Sequence, residues 1–315
     1  MAQPVSTARP LRGTQSLVGQ MGWVTDRPWI TAIEVCWRWI FGIPFLAVCF
    51  AELKQILAVV PPETAGLNGI DAQNPWVAAV QLAHAEGMYQ PHVEGVLRWL
   101  LPVAGSIWVV VSGLGRSVVL RRLGTADGAR MPFRPLQMMV LQAAWLAVLS
   151  VVWWGWFRAM GWVAATHIPS FGEPDLIGFS IWLIFLSLAF FTAWALVSWP
   201  LSIAPLLMLR EGRSPVDALV ESLRLGKPFT GKLVEINLVM GIVRLALIVL
   251  AMVFSAAPLP FSDELGGDAL HLVWAASLVF YLVANDYFQV VWLKGLMEFW
   301  KMFRGDEAGG LGVQR

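Results

Sequence analysis

Charged residues are scarce: 14% of the 315 positions carry Asp, Glu, Lys or Arg, against 57% that are hydrophobic, and mean hydropathy is +0.65. A soluble chain of this length needs roughly 25% charged residues to cover its surface, so a water-soluble globule is excluded. The formal net charge of +1 provides no basic surplus for nucleic acid. Cysteine is equally sparse, with Cys36 and Cys49 alone. Thirteen residues of one predicted helix, at ~1.5 Å each, hold them roughly 20 Å apart, beyond any disulfide. Catalytic signatures are missing too: there is no G-x-S-x-G elbow, no P-loop and no H-E-x-x-H pair. The "GLG" at 113–115 lies in an apolar helix, where close helix packing explains it better than phosphate binding.

Long apolar runs are what the chain does have. They are continuous rather than alternating, which selects membrane helices over barrel strands. Six spans can be drawn, at about 29–51, 96–120, 136–165, 177–208, 233–257 and 269–298. The fold class expected is therefore all-α, a polytopic membrane helical bundle. A polar tail over 1–28, a single transmembrane domain over 29–300 and a second tail over 301–315 complete it, with the end of the chain (305–315) read as disordered. The basic 1–28 segment lacks the short apolar region of a signal peptide, so no cleavage is expected. Lys and Arg orient the spans. Seventeen fall in the two tails and the 116–134 and 210–232 connections, whereas only Lys54 and Arg158 fall in the alternate ones. Both termini should face the cytoplasm. Tryptophans 153, 154, 156 and 162 read as an interfacial belt at the outer end of span three. Pro200 and Pro205 predict a kink or break in span four.

Two shorter helices are expected between spans. Asn74 and Pro75 open an outer interfacial helix over 75–89. Between spans four and five, Ser214 is a good N-cap, Pro215 suits the first helical position and Asp217 complements the dipole. Val216, Leu219, Val220 and Leu223 then make one apolar stripe, and Gly226 with Pro228 should end the helix. This predicts a short amphipathic cytoplasmic interfacial helix over 214–226.

The stretch containing it, "SWPLSIAPLLMLREGRSPVDALVESLRLGKPFTGKLVEINLVMGI" over 198–242, resembles a group of bacterial multipass proteins. These are the YciC-like proteins and the membrane domain joined to some glycerophosphoryl diester phosphodiesterases. Ala218, Leu219 and Ser222 fill the helix positions of that pattern and Lys227 to Lys232 its basic turn. The resemblance implies an all-helical domain of a bacterial plasma (inner) membrane protein, without a catalytic residue set. No soluble stretch could hold the phosphodiesterase domain, so that activity is not carried over.

Charges inside spans are costly and invite a functional reading. Glu34, Arg38, Arg244 and Asp286 qualify, two of each sign, in the middle or cytoplasmic half of the membrane. Glu34 and Arg38 are spaced to pair along one helix face. Salt bridges that fix helix packing are one reading; an inward-facing polar cavity for a solute, proton or lipid headgroup is the other. The repeated H-x-E-G of "HAEGMYQPHVEG" makes His84 and His92 metal candidates, although nothing fixes their separation, and the expectation is no metal and no cofactor. The chain is thus expected to be a non-enzymatic membrane protein acting in membrane organisation or in membrane-protein and lipid homeostasis. Its expected partners are membrane lipids and other membrane proteins. The alternative is a small-solute or lipid transporter.

Overall fold

The computed structural model describes residues 13–69, 74–128, 131–168, 175–256 and 262–310; the side chains of 13–17, 75–76, 195, 225–237, 262–267, 299 and 302–310 lie outside that description. The described residues form seven α-helices and one 3₁₀ turn, with no strand. The helices are α1 (Gly13–Thr25), α2 (Pro28–Val59), α3 (Pro75–Ala126), α4 (Pro135–His167), α5 (Leu176–Glu211), α6 (Pro215–Ala256) and α7 (Ser262–Gly310). Six segments, on α2 to α7, are long and apolar enough to cross a membrane. The protein is an all-α, polytopic helical bundle, as its composition predicts. Proline opens α2, α3, α4 and α6, because its fixed φ suits the first turn and its missing N–H costs nothing there. Ser214 caps α6: the Asp217 amide donates to its Oγ at 3.2 Å, and that hydroxyl donates to the Asp217 carboxylate at 2.7 Å.

Several helices run further than the sequence predicts. The 75–89 helix is the first part of α3, which continues through Pro91 and Pro102 to Ala126. The 214–226 helix likewise starts as expected but does not end at Gly226 or turn at 227–232: α6 continues to Ala256. Isolated stop signals of about 1–3 kcal/mol do not end a helix that runs into an apolar span, where every backbone group must bond internally. The side chains of Gly226, Pro228 and the 227–232 basic segment are outside the described residues, as are 233–237 and residue 257 of span five. α5 passes Pro200 and Pro205 unbroken. The polar 1–28 tail contains a helix, α1, whose Gly- and Gln-rich sequence has little propensity of its own and is held by packing against α6 and α7. The end of the chain is helical through Gly310, so the disordered reading fails for 305–310; residues 1–12 and 311–315 are outside the description.

The chain forms two compact units, neither continuous in sequence. The first comprises Met1–Cys36, Gly115–Phe133 and Leu206–Arg315. In it α6 packs along α7, and α1 lies on both. Its core takes Val24 of α1, Ile30 of α2, Val119, Leu120 and Leu123 of α3, Leu206 to Leu209 of α5 and Val290, Val291, Leu293 and Met297 of α7. Gly128 (φ +75°) and Gly212 (φ +70°) close α3 and α5 in the left-handed conformation that favours glycine. At the start of α6 the small residues Ala218 and Ser222 are buried, and the stripe side chains Val216, Val220 and Leu223 are exposed.

The second unit comprises Trp37–Leu114 and Arg134–Pro205. Its helices meet through glycine and tryptophan. A Cβ at Gly113 would stand 3.0 Å from the Met139 backbone, so α3 and α4 touch there, the close packing that the "GLG" predicts. Trp145 of α4 lies 5.2 Å from Trp108 of α3 and 5.3 Å, edge-on, from Trp194 of α5. Val60, Ala65 and Ala85 form a small cluster where the α2–α3 connection folds onto α3, tied by the Tyr89 hydroxyl donating to the Val60 carbonyl at 3.1 Å. Elsewhere large apolar side chains point outward, and no residue in the most apolar stretch of α2 or α5 is buried. In water that surface would be unstable; in lipid it is the expected one.

Candidate functional site

Glu34 lies nearly two turns into α2 and is 0% exposed, although its neighbours Thr31 and Val35 are only half-buried. Its Oε1 meets Arg116 Nη1 of α3 at 3.3 Å. The sequence reading assigns Arg116 to a basic connection; the structure places it inside α3. Leaving a carboxylate buried in protein without a partner costs about 3–5 kcal/mol, so a cation of this kind offsets the burial of Glu34. Arg38, one turn further along α2 and in the second unit, lies with its guanidinium 5.3 Å from the Trp37 ring.

Asp286 and Arg244 both belong to the first unit. Asp286 is buried on α7, three residues before the buried Gln289, so the two share a helix face. Arg244 of α6 donates from Nη2 to Gln289 Oε1 at 2.5 Å. α7 changes character at this level: Leu272, Leu278, Phe280 and Val283 are exposed, whereas Val290 to Met297 are largely buried. The charges therefore sit where α7 passes from an outward-facing apolar stretch into packed protein.

A larger ionic cluster, which the sequence reading does not single out, lies in the same unit. Lys294 of α7 has a side chain only 4% exposed. Its Nζ donates to Asp127 Oδ1 and to Glu298 Oε1, each at 2.5 Å, and lies 4.4 Å from the Trp23 ring of α1. Lys301 pairs with Asp127 Oδ2 and, at 3.2 Å, with Glu298. Burial alone would raise the Asp127 pKa; the hydrogen bonds and charges of Lys294 and Lys301 outweigh it and hold the carboxyl below its ordinary range. Lys301 is raised, its partners Asp127 and Glu298 outweighing its own desolvation. Tyr287 fixes α1 alongside, its hydroxyl donating to the Met21 carbonyl and lying within hydrogen-bond distance of Thr25 Oγ1, both at 3.0 Å. The signal was present, since Lys294 stands amid apolar residues, but its partner is 167 positions away in sequence.

Histidines are dispersed. His84 is exposed and His92 half-buried on one helix, eight residues or ~12 Å apart along its axis, too far to share one ion. No group of three or more His, Cys, Asp and Glu side chains suited to a metal occurs among the described residues. His167 instead closes the α4–α5 connection: its Nδ1 lies 3.1 Å from Asp175 Oδ2, while Asp175 Oδ1 accepts from the Gly178 amide at 2.9 Å. That backbone bond, then the histidine, lowers the Asp175 pKa. Chemically, Glu34 with Arg116 and Asp127 and Glu298 with Lys294 and Lys301 neutralise one another and pin helices together, while Arg244 is held by the neutral Gln289. Comparison of the chain with protein-family models, with curated proteins and with solved structures finds no match.

Proposed function

We propose that this multipass membrane protein is non-enzymatic and acts in membrane organisation or in membrane-protein and lipid homeostasis, as a member of the YciC-like group that residues 198–242 resemble. The observation that carries the reading is the pairing of its charges. Glu34 is dry and bound to Arg116, Asp286 is buried, and Arg244, although exposed, is bound to Gln289; a solute path would need Glu34 and Asp286 open to water. The transporter alternative loses support on the same ground. The excess of Lys and Arg in the tails and the 116–134 and 210–232 connections supports both termini being cytoplasmic, and the resemblance of 198–242 supports a bacterial inner-membrane location.

The test compares a strain lacking the protein with one carrying it. Altered lipid composition or reduced levels of other membrane proteins, restored by the intact chain, is the expected result. Vesicles holding the purified protein that pass a solute or flip lipids, with the flux abolished by Glu34→Gln, would replace this reading by transport.

A further inference from the structure

On the first unit, exposed arginine and tryptophan side chains gather at the ends of two spanning helices. Trp29, in the first turn of α2, is 43% exposed, although Ile30 beside it is fully buried. The guanidinium of Arg122, near the end of α3, lies 5.9 Å from the Trp29 ring centroid, and Arg121 next to it is exposed as well. Arg27, two residues before Trp29, lies 4.3 Å over the Trp23 ring and donates to the Trp23 carbonyl at 3.2 Å. Asp26 is the acidic neighbour, so positive charge remains in excess.

The level of this patch relative to lipid follows from two independent counts. The bilayer core takes ~20 helical residues. Counted back from Glu52, the first charge beyond the apolar run of α2, it reaches about residue 32; counted forward from Arg98 on α3, it reaches about residue 118. Trp29 on one helix and Arg121 and Arg122 on the other then each stand three or four residues, ~5 Å, outside the hydrocarbon. That is the layer of the phosphates. Glu34 and Arg116 fall just inside the same edges, in keeping with their being paired.

We propose that Trp29, Arg121 and Arg122, with Arg27 beside them, bind the phosphate of an anionic phospholipid headgroup. A guanidinium held against an indole keeps its outward N–H groups for a bidentate phosphate contact and is weakly hydrated, so it gives up little water on binding. The indole itself prefers the headgroup layer, one edge apolar and one polar. The inference rests on membrane residence alone, not on the role or orientation proposed above.

The test uses the full chain reconstituted in vesicles of equal phosphatidylglycerol and phosphatidylcholine, extracted gently, with retained lipids counted by native mass spectrometry. Phosphatidylglycerol should be retained preferentially. Arg122→Gln should cut that preference about fivefold, as expected for one cation at a membrane surface, and Arg121→Gln similarly. Trp29→Ala should weaken it and Trp29→Phe should restore part. Arg224→Gln, at a 75%-exposed side chain on α6, should leave it unchanged. Lack of preference in the intact protein overturns the proposal. So does an equal loss in Arg224→Gln, which makes the effect one of net charge, or displacement by excess inorganic phosphate, which assigns the patch to a soluble anion.

Discussion

Replacing Asp127 by Asn removes one charge from the Lys294 cluster while keeping its shape. Removing one partner of a buried ion pair costs about 3–5 kcal/mol, because the other charge is left in a dry place. Lys294 would keep Glu298 at 2.5 Å and the Trp23 ring at 4.4 Å, and Lys301 would keep Glu298, so the loss should fall near the lower end, about 3 kcal/mol. Thermal unfolding of the purified protein should then begin roughly 5 °C earlier or more. Adding Lys294→Met should recover part of the loss, since an apolar side chain suits the site once the carboxylate is gone. The pH dependence has a definite sign. A lowered carboxyl pKa adds stability that is present above the ordinary value of 3.8 and lost as pH falls through the folded value below it. The raised Lys301 adds stability that is present below 10.5 and lost as pH rises through its folded value. Between those limits the cluster should contribute a constant amount. Unfolding of Asp127→Asn within about 1 °C of the parent would refute the reasoning, because it would show Lys294 to be solvated.

Other perturbations follow from single contacts. Gly178→Ala would put a Cβ against the Asp175 carboxylate and 2.8 Å from His167 Nδ1, displacing the cap of α5 at about 1 kcal/mol. Amide exchange in the first turn of α5 should quicken; unchanged protection would mean the cap is dispensable. Tyr287→Phe removes the hydroxyl that binds Met21 and Thr25, worth about 1 kcal/mol, and should raise amide exchange in α1 while leaving α7 protected. Equal exchange in both proteins would show that α1 is held by other contacts.

The spans were legible because their signal is local: twenty apolar residues in lipid allow only a helix. Helix starts were legible for the same reason, Pro215 behind Ser214 and Pro75 behind Asn74. Helix ends were not. Gly226 and Pro91 are weak local signals, and continuity with an apolar span outweighs them. Pairing was the least legible, because spacing along one helix suggests only neighbours such as Arg38 for Glu34. Arg116 is 82 residues from Glu34, and Asp127 meets Lys294 through the meeting of α3 with α7; no periodicity encodes either distance. The role of α1 was hidden likewise, since it packs against α6 and α7, contacts that no local signal encodes.

The central claim, that the charges near the membrane edge are internal partners rather than the walls of a path, is tested most directly by exchanging one pair. Glu34→Arg and Arg116→Glu should each lower the amount of folded protein in the membrane and its thermal midpoint, since each leaves two like charges about 3 Å apart. The double exchange should restore most of both. Single variants that fold as well as the parent, or a double exchange no better than the poorer single one, would contradict it.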